Sequence, residues 1–165
     1  MPQRLHHNEI LDRLISLLDT NLGPAPPTGL GLVTITKGTL NMYAGKDGLT
    51  TELPAVLIAL RPTAIDWAGA SKEHGVAYAF RLLFIRQFAT TAKVTEEKVK
   101  DAQKLAELLF DNIDLNGLAL TNAQIVHSTP TEIDWEPLED EFVAGYNAWY
   151  FTTAVAFTVT VRTRR

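Results

Sequence analysis

The chain has 165 residues, of which 46% are hydrophobic and 21% are charged, and its formal net charge is −4. This length suits one globular domain spanning residues 1–165 with a core of its own, and the composition excludes a disordered chain. The absence of cysteine excludes disulfides and thiolate metal sites, and the acidic balance argues against a general nucleic-acid binder.

The N-terminal segment, MPQRLHHNEILDRL, lacks the apolar core and the small-residue cleavage site of a signal peptide. No stretch of the sequence reaches the roughly 18 consecutive apolar residues that a membrane helix needs. We therefore expect a soluble, unprocessed protein that has no membrane partner.

The first predicted element is a helix from about Leu5 to Leu18. Its apolar residues follow the i, i+3, i+4, i+7 spacing of an amphipathic helix, at Leu11, Leu14, Ile15 and Leu18. Asn21 and Gly23 are expected to end this helix. Residues 22–52 are then predicted to form a loop and a β-hairpin arm, with the turn of the hairpin at residues 45–48.

Two strands are predicted next. The apolar run Ala55–Leu60 lies between prolines and is typical of a buried central strand. After a loop, Val76–Phe88 alternates side chains between two faces, as a long strand does. Because both faces are apolar from Leu82 to Ile85, we expect this part of the sheet to be covered on both sides.

The second predicted helix begins at Thr95 as N-cap, and Val94 and Val99 are expected to form a hydrophobic staple around its first turn. The helix should end near Asp111 to Asp114. Its predicted apolar stripe consists of Val99, Ala102, Leu105, Ala106, Leu109 and Ile113.

Two strands are predicted to close the chain, at Ala123–Thr129 and Asn147–Arg162. Between them, six acidic residues within positions 132–141 are interpreted as a solvated loop. Strands and helices are segregated along the chain, which favours an α+β fold. We expect a single domain with a largely antiparallel mixed β-sheet, two helices packed on it, and the hairpin-like arm.

No pattern in the sequence indicates catalysis. The four histidines lack the spacing of metal ligands and are interpreted as solvated surface residues, at His6, His7, His74 and His127. The glycines form no phosphate-binding loop, and no serine lies in a nucleophile elbow. We therefore expect no catalytic residue, no cofactor, no metal ion and no enzymatic activity.

Several residues are candidates for contacts with a neighbouring molecule. Aromatic side chains are enriched at interfaces, and clustered charges of opposite sign can pair across them. The candidates are two loop tryptophans, an acidic group and a basic C-terminal group, namely Trp67, Trp135, Glu139, Asp140, Glu141, Arg162, Arg164 and Arg165.

The order of these segments resembles the tail terminators of lambda-like bacteriophages. LDRLISLLDT is similar to the opening helix of that family, and LPAVLIALRP to its "PAV" strand. VAYAFRLLFIRQFA resembles its long strand, TEEKVKDAQKLAELLFDNI its second helix, and WYFTTAVAFTVTVRTRR its final strand. The resemblance covers about Leu5 to Arg162, with extra length between Asn21 and Thr51.

The resemblance implies a structural virion protein, made in the host cytoplasm, that forms a homo-oligomer, a hexameric ring. The ring would cap the head-proximal end of the tail tube, stop its polymerisation and contact the head–tail connector. DNA would pass through the lumen without specific binding. A head–tail joining (neck) protein or a tail tube protein is the nearest alternative. A small-molecule binding domain or an enzyme of unknown type is the alternative from another class.

Overall fold

The computed structural model describes residues 5–23, 34–37, 54–66, 73–88, 93–135, 141–143 and 148–164. These residues form two helices and seven strands. In chain order they are α1 (His7–Leu22), β1 (Thr34–Lys37), β2 (Ala55–Leu60), β3 (Ala64–Asp66), β4 (Glu73–Phe88), α2 (Val94–Asp111), β5 (Ala123–Asp134), β6 (Glu141–Val143) and β7 (Ala148–Arg164).

The strands form one sheet in the order β1-β2-β4-β7-β5. β1 and β2 are parallel, and all other pairs are antiparallel. The short strand β3 pairs with β4 beyond the end of β2, and β6 pairs with β7 beyond the end of β5. The predicted α+β fold with a largely antiparallel mixed sheet is confirmed.

The two longest strands, β4 and β7, form the centre of the sheet. They pair in unbroken register from Glu73 opposite Arg164 to Phe88 opposite Trp149. Alternating β-branched and aromatic residues in both strands suit a pleated surface with buried side chains. The sequence predicted β4 to begin at Val76, and the strand begins three residues earlier.

Both helices pack on one face of the sheet and enclose the main core. α1 contributes Ile10, Leu14 and Leu18, and α2 contributes Leu105 and Leu109. The sheet residues of this core are Val56, Ile58, Val76, Tyr78, Phe80, Leu82, Phe84, Val155, Phe157, Val159 and Val161. At fully buried side chains such as these, each Leu, Ile, Val or Phe contributes about 1.5–3 kcal/mol.

A second, smaller cluster is buried on the opposite face of the sheet. It consists of Leu57, Leu83, Ile85 and Ala154, all from strands. Leu82 and Phe84 are buried on the helix side, so this stretch of β4 is buried on both faces. The expected two-sided cover of Leu82–Ile85 is therefore confirmed.

α1 continues to Leu22, four residues beyond the predicted end, and Gly23 is its C-cap. The Gly23 N–H donates to the Asp19 carbonyl oxygen at 3.1 Å. A Cβ at Gly23 would lie 2.3 Å from that oxygen, so the close approach requires glycine. The expected stop at Gly23 is correct, whereas Asn21 lies inside the helix and donates its side-chain amide to the Leu17 carbonyl.

The predicted start and buried face of α2 are partly wrong. The helix begins at Val94 with Lys93 as N-cap, so Thr95 lies in the first turn. Val99 and Ile113 are exposed, which excludes the Val94–Val99 staple. The buried residues are Val94, Lys98, Asp101, Ala102, Leu105, Ala106 and Leu109. Lys98 and Asp101 are buried because both find polar or aromatic partners under the helix.

The predicted acidic loop is shorter than expected. β5 continues to Asp134 and carries Glu132, while Glu141 begins β6. The longer strand is stabilised because Ile133 packs against the main core and Asp134 pairs with Arg81 on β4. β3 was also not predicted, since its three residues fall in a segment interpreted as a loop.

Some predicted features lie outside the described residues. They are the turn at residues 45–48, most of the arm at 22–52, Trp67, Glu139, Asp140 and Arg165. Among the described helices, none is long and apolar enough to cross a membrane.

Candidate assembly surface

A buried ion pair fixes α2 on the sheet. Arg86 of β4 binds both carboxylate oxygens of Asp101, through Nε at 2.8 Å and a terminal nitrogen at 3.0 Å. Asp101 is only 3% exposed, and burial raises the pKa of its carboxyl while the Arg86 hydrogen bonds oppose the rise. The pair therefore sets the rotation of α2 and the face that the helix presents outward.

Lys98, one turn earlier, ties α2 to the end of β5. Its Nζ donates to the Trp135 carbonyl oxygen at 3.2 Å and lies 5.7 Å from the centre of the Phe151 ring. The Trp135 backbone is thus held against α2, while 43% of the residue remains exposed. Trp135, a predicted interface residue, is accessible to a neighbouring molecule.

A polar groove of about 210 Å³ lies on the face of the sheet opposite the helices. Ala154 and Ala156 of β7 form its floor. Its walls carry two arginines, Arg61 and Arg81, and two acids, Glu132 and Asp134. Arg81 donates to Asp134 Oδ2 at 2.7 Å. Because the positive and negative groups balance, the groove does not select a ligand of one charge sign.

The N-terminal end of α1 is buried against the sheet through two histidines. His6 is fully buried, and its backbone N–H donates to the Tyr78 hydroxyl oxygen at 3.1 Å. His7 Nε2 lies 2.8 Å from Thr63 Oγ1, and its ring meets the Tyr78 ring edge-on at 4.7 Å. The interpretation of His6 and His7 as solvated residues is therefore wrong, because the His6 backbone and the His7 ring bind Tyr78 and Thr63, which are distant in sequence.

The partly buried His7 makes stability depend on pH. Burial lowers the pKa of the His7 imidazole below its ordinary 6.5, so folding favours the neutral ring. The stability that His7 contributes is present above pH 6.5 and is lost as the pH falls through the folded value. We expect His7→Gln to lose less stability than the wild type between pH 7.5 and pH 5 in urea unfolding.

The exposed His127 provides a matched control for this pH effect. His127→Gln shows the effect of replacing a histidine that is exposed to solvent. If His7→Gln and His127→Gln follow the same pH profile as the wild type, the folded protein does not favour the neutral form of His7.

One edge of the sheet exposes an apolar group that we call the α2–β5 patch: Phe110, Ile113 and Val126. Phe110 and Ile113 are one turn apart at the end of α2. The Ser128 hydroxyl donates to the Ile113 carbonyl oxygen at 2.8 Å, which places β5 beside this turn. Val126 lies at a register shift of β5, between Ile125 and His127. Phe110 and Ile113 therefore lie together at the end of α2. Val126 lies on the other face of β5, because Ile125 and Ser128 are the residues opposite Val161 and Val159 of the main core.

The region around the end of β2 exposes a second apolar group, the β2–β3 patch: Leu5, Leu60 and Ile65. Leu60 ends β2, and Ile65 is the middle residue of β3. Leu5 is two residues before His7, which contacts Thr63 between these strands. Exposed apolar groups that are clustered, rather than scattered, are typical of interaction surfaces.

Among the described residues, the predicted acidic and basic groups are represented by Glu141, Arg162 and Arg164, whose backbones lie far apart along β7 or its neighbours. Asp134 lies opposite Ala154 of β7, whereas Arg162 lies opposite Gln124, eight residues further along the strand. At ~3.3 Å per residue, this separation is about 26 Å. Arg164 lies opposite Glu73, and Glu141 opposite Tyr150.

The two exposed apolar patches were not predicted. Phe110 lies outside the predicted apolar stripe of α2. A phenylalanine outside that stripe is visible in the sequence and indicates an exposed apolar side chain. Ile113 was assigned to the core because it continues the helical spacing beyond the end of α2. No group of three or more metal-ligating side chains occurs among the described residues.

No known protein family matches the sequence, and no curated protein matches it. Among solved structures, the chain is similar to one from the "Virion of native gene transfer agent (GTA) particle". The TM-score is 0.43 and the sequence identity 14%, over 81% of each chain. A likeness of this degree concerns the general fold and not the role of the chain.

Proposed function

We propose that the chain is a structural protein of a phage-type virion. The observation that carries the proposal is the order of the elements. α1, β2, the long strand β4, α2 and the closing strands β5 and β7 follow the order that the resemblance to tail terminators implies. β2 corresponds to the "PAV" segment, and β1 lies in the extra length that distinguishes this chain.

Within the virion, we propose that copies of the chain form a ring at the head-proximal end of the tail tube. The resemblance to tail terminators implies six subunits in this ring. A ring needs a heterologous contact, in which two different surfaces of each subunit meet. Exposed apolar side chains among the described residues, such as Leu60, Phe110 and Ile113, are available for such a contact. The net charge of −4 suits a ring through which DNA passes, because phosphates do not adhere to it.

Deleting the gene from the phage-type genome that encodes the chain tests this role. We expect DNA-filled heads without tails, together with free tails of uncontrolled and greater length, because tube polymerisation is no longer stopped. Supplying the wild-type chain from a plasmid should restore joined particles with tails of uniform length. Electron microscopy of both lysates provides the measurement.

The same experiment separates the alternative roles. Free tails of normal length would indicate a head–tail joining protein, and the absence of tails would indicate a tube protein. Normal particles in the deletion strain would show that the chain is not a required virion component. A small-molecule binding domain or an enzyme would then be the better hypothesis.

A further inference from the structure

We propose that the turn at Asn116 and Gly117 is a site of spontaneous covalent modification, at which the Asn116 side chain deamidates and the backbone isomerises to isoaspartate. The reaction needs only water and takes place in the isolated chain, so this proposal goes beyond the proposed function and does not depend on it. Its supports are the sequence of the turn, the accessibility of the reacting groups and the backbone conformation.

The first support is the sequence. Asn116 is followed by Gly117, and no other asparagine in the chain precedes a glycine. The reaction begins when the backbone nitrogen of the following residue attacks Cγ, the side-chain carbonyl carbon of the asparagine. Glycine hinders this approach least, because it has no Cβ and its backbone rotates with little steric restriction. The sequence therefore favours reaction at Asn116 over the other asparagines.

The second support is the accessibility of the reacting groups. The turn lies in the connection between α2 and β5, and both Asn116 and Gly117 are exposed to water. A Cβ at Gly117 would meet nothing within 4 Å, so the space beside this residue is open. Among the described residues, neither the Asn116 side chain nor the Gly117 N–H has a hydrogen-bond partner that the attack would have to displace.

The third support is the backbone conformation. Leu115, Asn116 and Gly117 all have positive φ, at 54°, 55° and 69°. This left-handed conformation is unfavourable for leucine, whose Cβ crowds the backbone, and the turn keeps it because Leu115 is fully buried in the main core. Local opening of the turn relieves this strain and lets the Gly117 nitrogen swing onto Cγ of Asn116.

The reaction is balanced with water as the co-reactant. The Gly117 nitrogen forms a bond to Cγ of Asn116, and its proton leaves with the side-chain amide nitrogen as ammonia. The product is a five-membered succinimide. Water then adds to one of the two ring carbonyls and breaks the bond between that carbon and the ring nitrogen. Opening at the side-chain carbonyl gives aspartate, and opening at the backbone carbonyl gives isoaspartate.

Both products should loosen the connection between α2 and β5. The Leu115 N–H donates to the Asn112 carbonyl oxygen at 2.8 Å, and the Leu118 N–H donates to the Asp114 carbonyl oxygen at 3.2 Å. Isoaspartate lengthens the main chain between Leu115 and Leu118 by one carbon atom. Both products also add a negative charge beyond the C-terminal end of α2, where the helix dipole is negative and the last turn contains no basic residue.

Peptide mapping by mass spectrometry tests the site in the purified full chain, kept folded at mildly alkaline pH and compared with fresh protein. We expect Asn116 to convert about tenfold or more faster than Asn122. Asn122 is a matched internal control, because it is exposed and has a φ of 56°, but Ala123 follows it. Asn112 should also persist, since its side-chain amide donates to the Leu108 carbonyl oxygen. An isoaspartate-specific methyltransferase identifies the isomerised fraction.

A variant that lacks the reacting amide tests the consequence for stability. Asn116→Gly cannot deamidate, and it keeps the turn because glycine adopts positive φ without a steric penalty. The aged wild type should unfold at a temperature about 2–4 °C below that of the fresh protein, whereas Asn116→Gly should not change on ageing.

Three results would overturn the proposal. Equal conversion at Asn116 and Asn122, or conversion of Asn116 only after unfolding in urea, would remove the site. Conversion at Asn116 without a lower unfolding temperature would remove its effect on the turn. None of these results bears on the virion role, which deletion of the gene tests separately.

Discussion

Replacing Phe157 with alanine is expected to lower the free energy of unfolding by about 3–5 kcal/mol. Phe157 is 0% exposed and lies on β7 between Phe80 of β4 and Pro130 of β5. Its ring belongs to the main core, which also contains residues of both helices. The loss combines the transfer free energy of the ring with the cavity left in a close-packed interior. Urea unfolding followed by circular dichroism provides the measurement.

Phe110→Ala is the matched control, because it removes the same side chain from a residue that is 55% exposed. We expect it to change the free energy of unfolding by no more than about 0.5 kcal/mol. Similar losses from both variants would contradict the assignment of β7 to the core.

Replacing Asp101 with alanine is expected to lower the free energy of unfolding by about 3 kcal/mol. The main cost comes from leaving Arg86 in a largely buried position without its bidentate partner. The estimate lies at the lower end of the range for buried pairs because Arg86 keeps 24% of its side chain exposed. Chemical unfolding at neutral pH provides the measurement.

Asp134→Ala breaks an ion pair of the same type with Arg81 and serves as the control. Because the Asp134 side chain is 41% exposed, its loss should cost only about 0.2–1 kcal/mol. The double variant Arg86→Met, Asp101→Leu should recover most of the stability lost in Asp101→Ala, since no unpaired charge then remains. An equal cost for Asp101→Ala and Asp134→Ala would show that burial does not distinguish the two pairs.

The central strands could be predicted from the sequence because their signal is local. In β4, Tyr78, Phe80 and Leu82 alternate with Ala77, Ala79 and Arg81, and the alternation alone specifies a strand with one strongly apolar face. The four apolar residues Leu82–Ile85 also predicted cover on both faces. These features need no knowledge of which strand pairs with which.

The rotation of α2 could not be predicted, because its cause lies elsewhere in the chain. Lys98 and Asp101 are charged and read as solvent-facing, yet Asp101 is bound by Arg86 and Lys98 by the Trp135 carbonyl. Those partners are 15 and 37 residues away. Asp134 was misassigned for the same reason, since its partner Arg81 comes from β4. Tertiary pairing decided each case.

The exposed patches depend on topology in the same way. Leu60 and Ile65 lie on the same face of the sheet only because β2 and β3 both pair with β4. A candidate assembly surface made of residues from three or more segments has no signature within any one of them.

The location of the chain in assembled particles tests the central proposal most directly. Gold-labelled antibodies raised against the purified chain should be applied to virion particles purified from cells that carry its gene. We expect gold at the junction of head and tail, and at one end of free tails, because a single ring occupies only that position. Particles that contain no copy of the chain by mass spectrometry would contradict it.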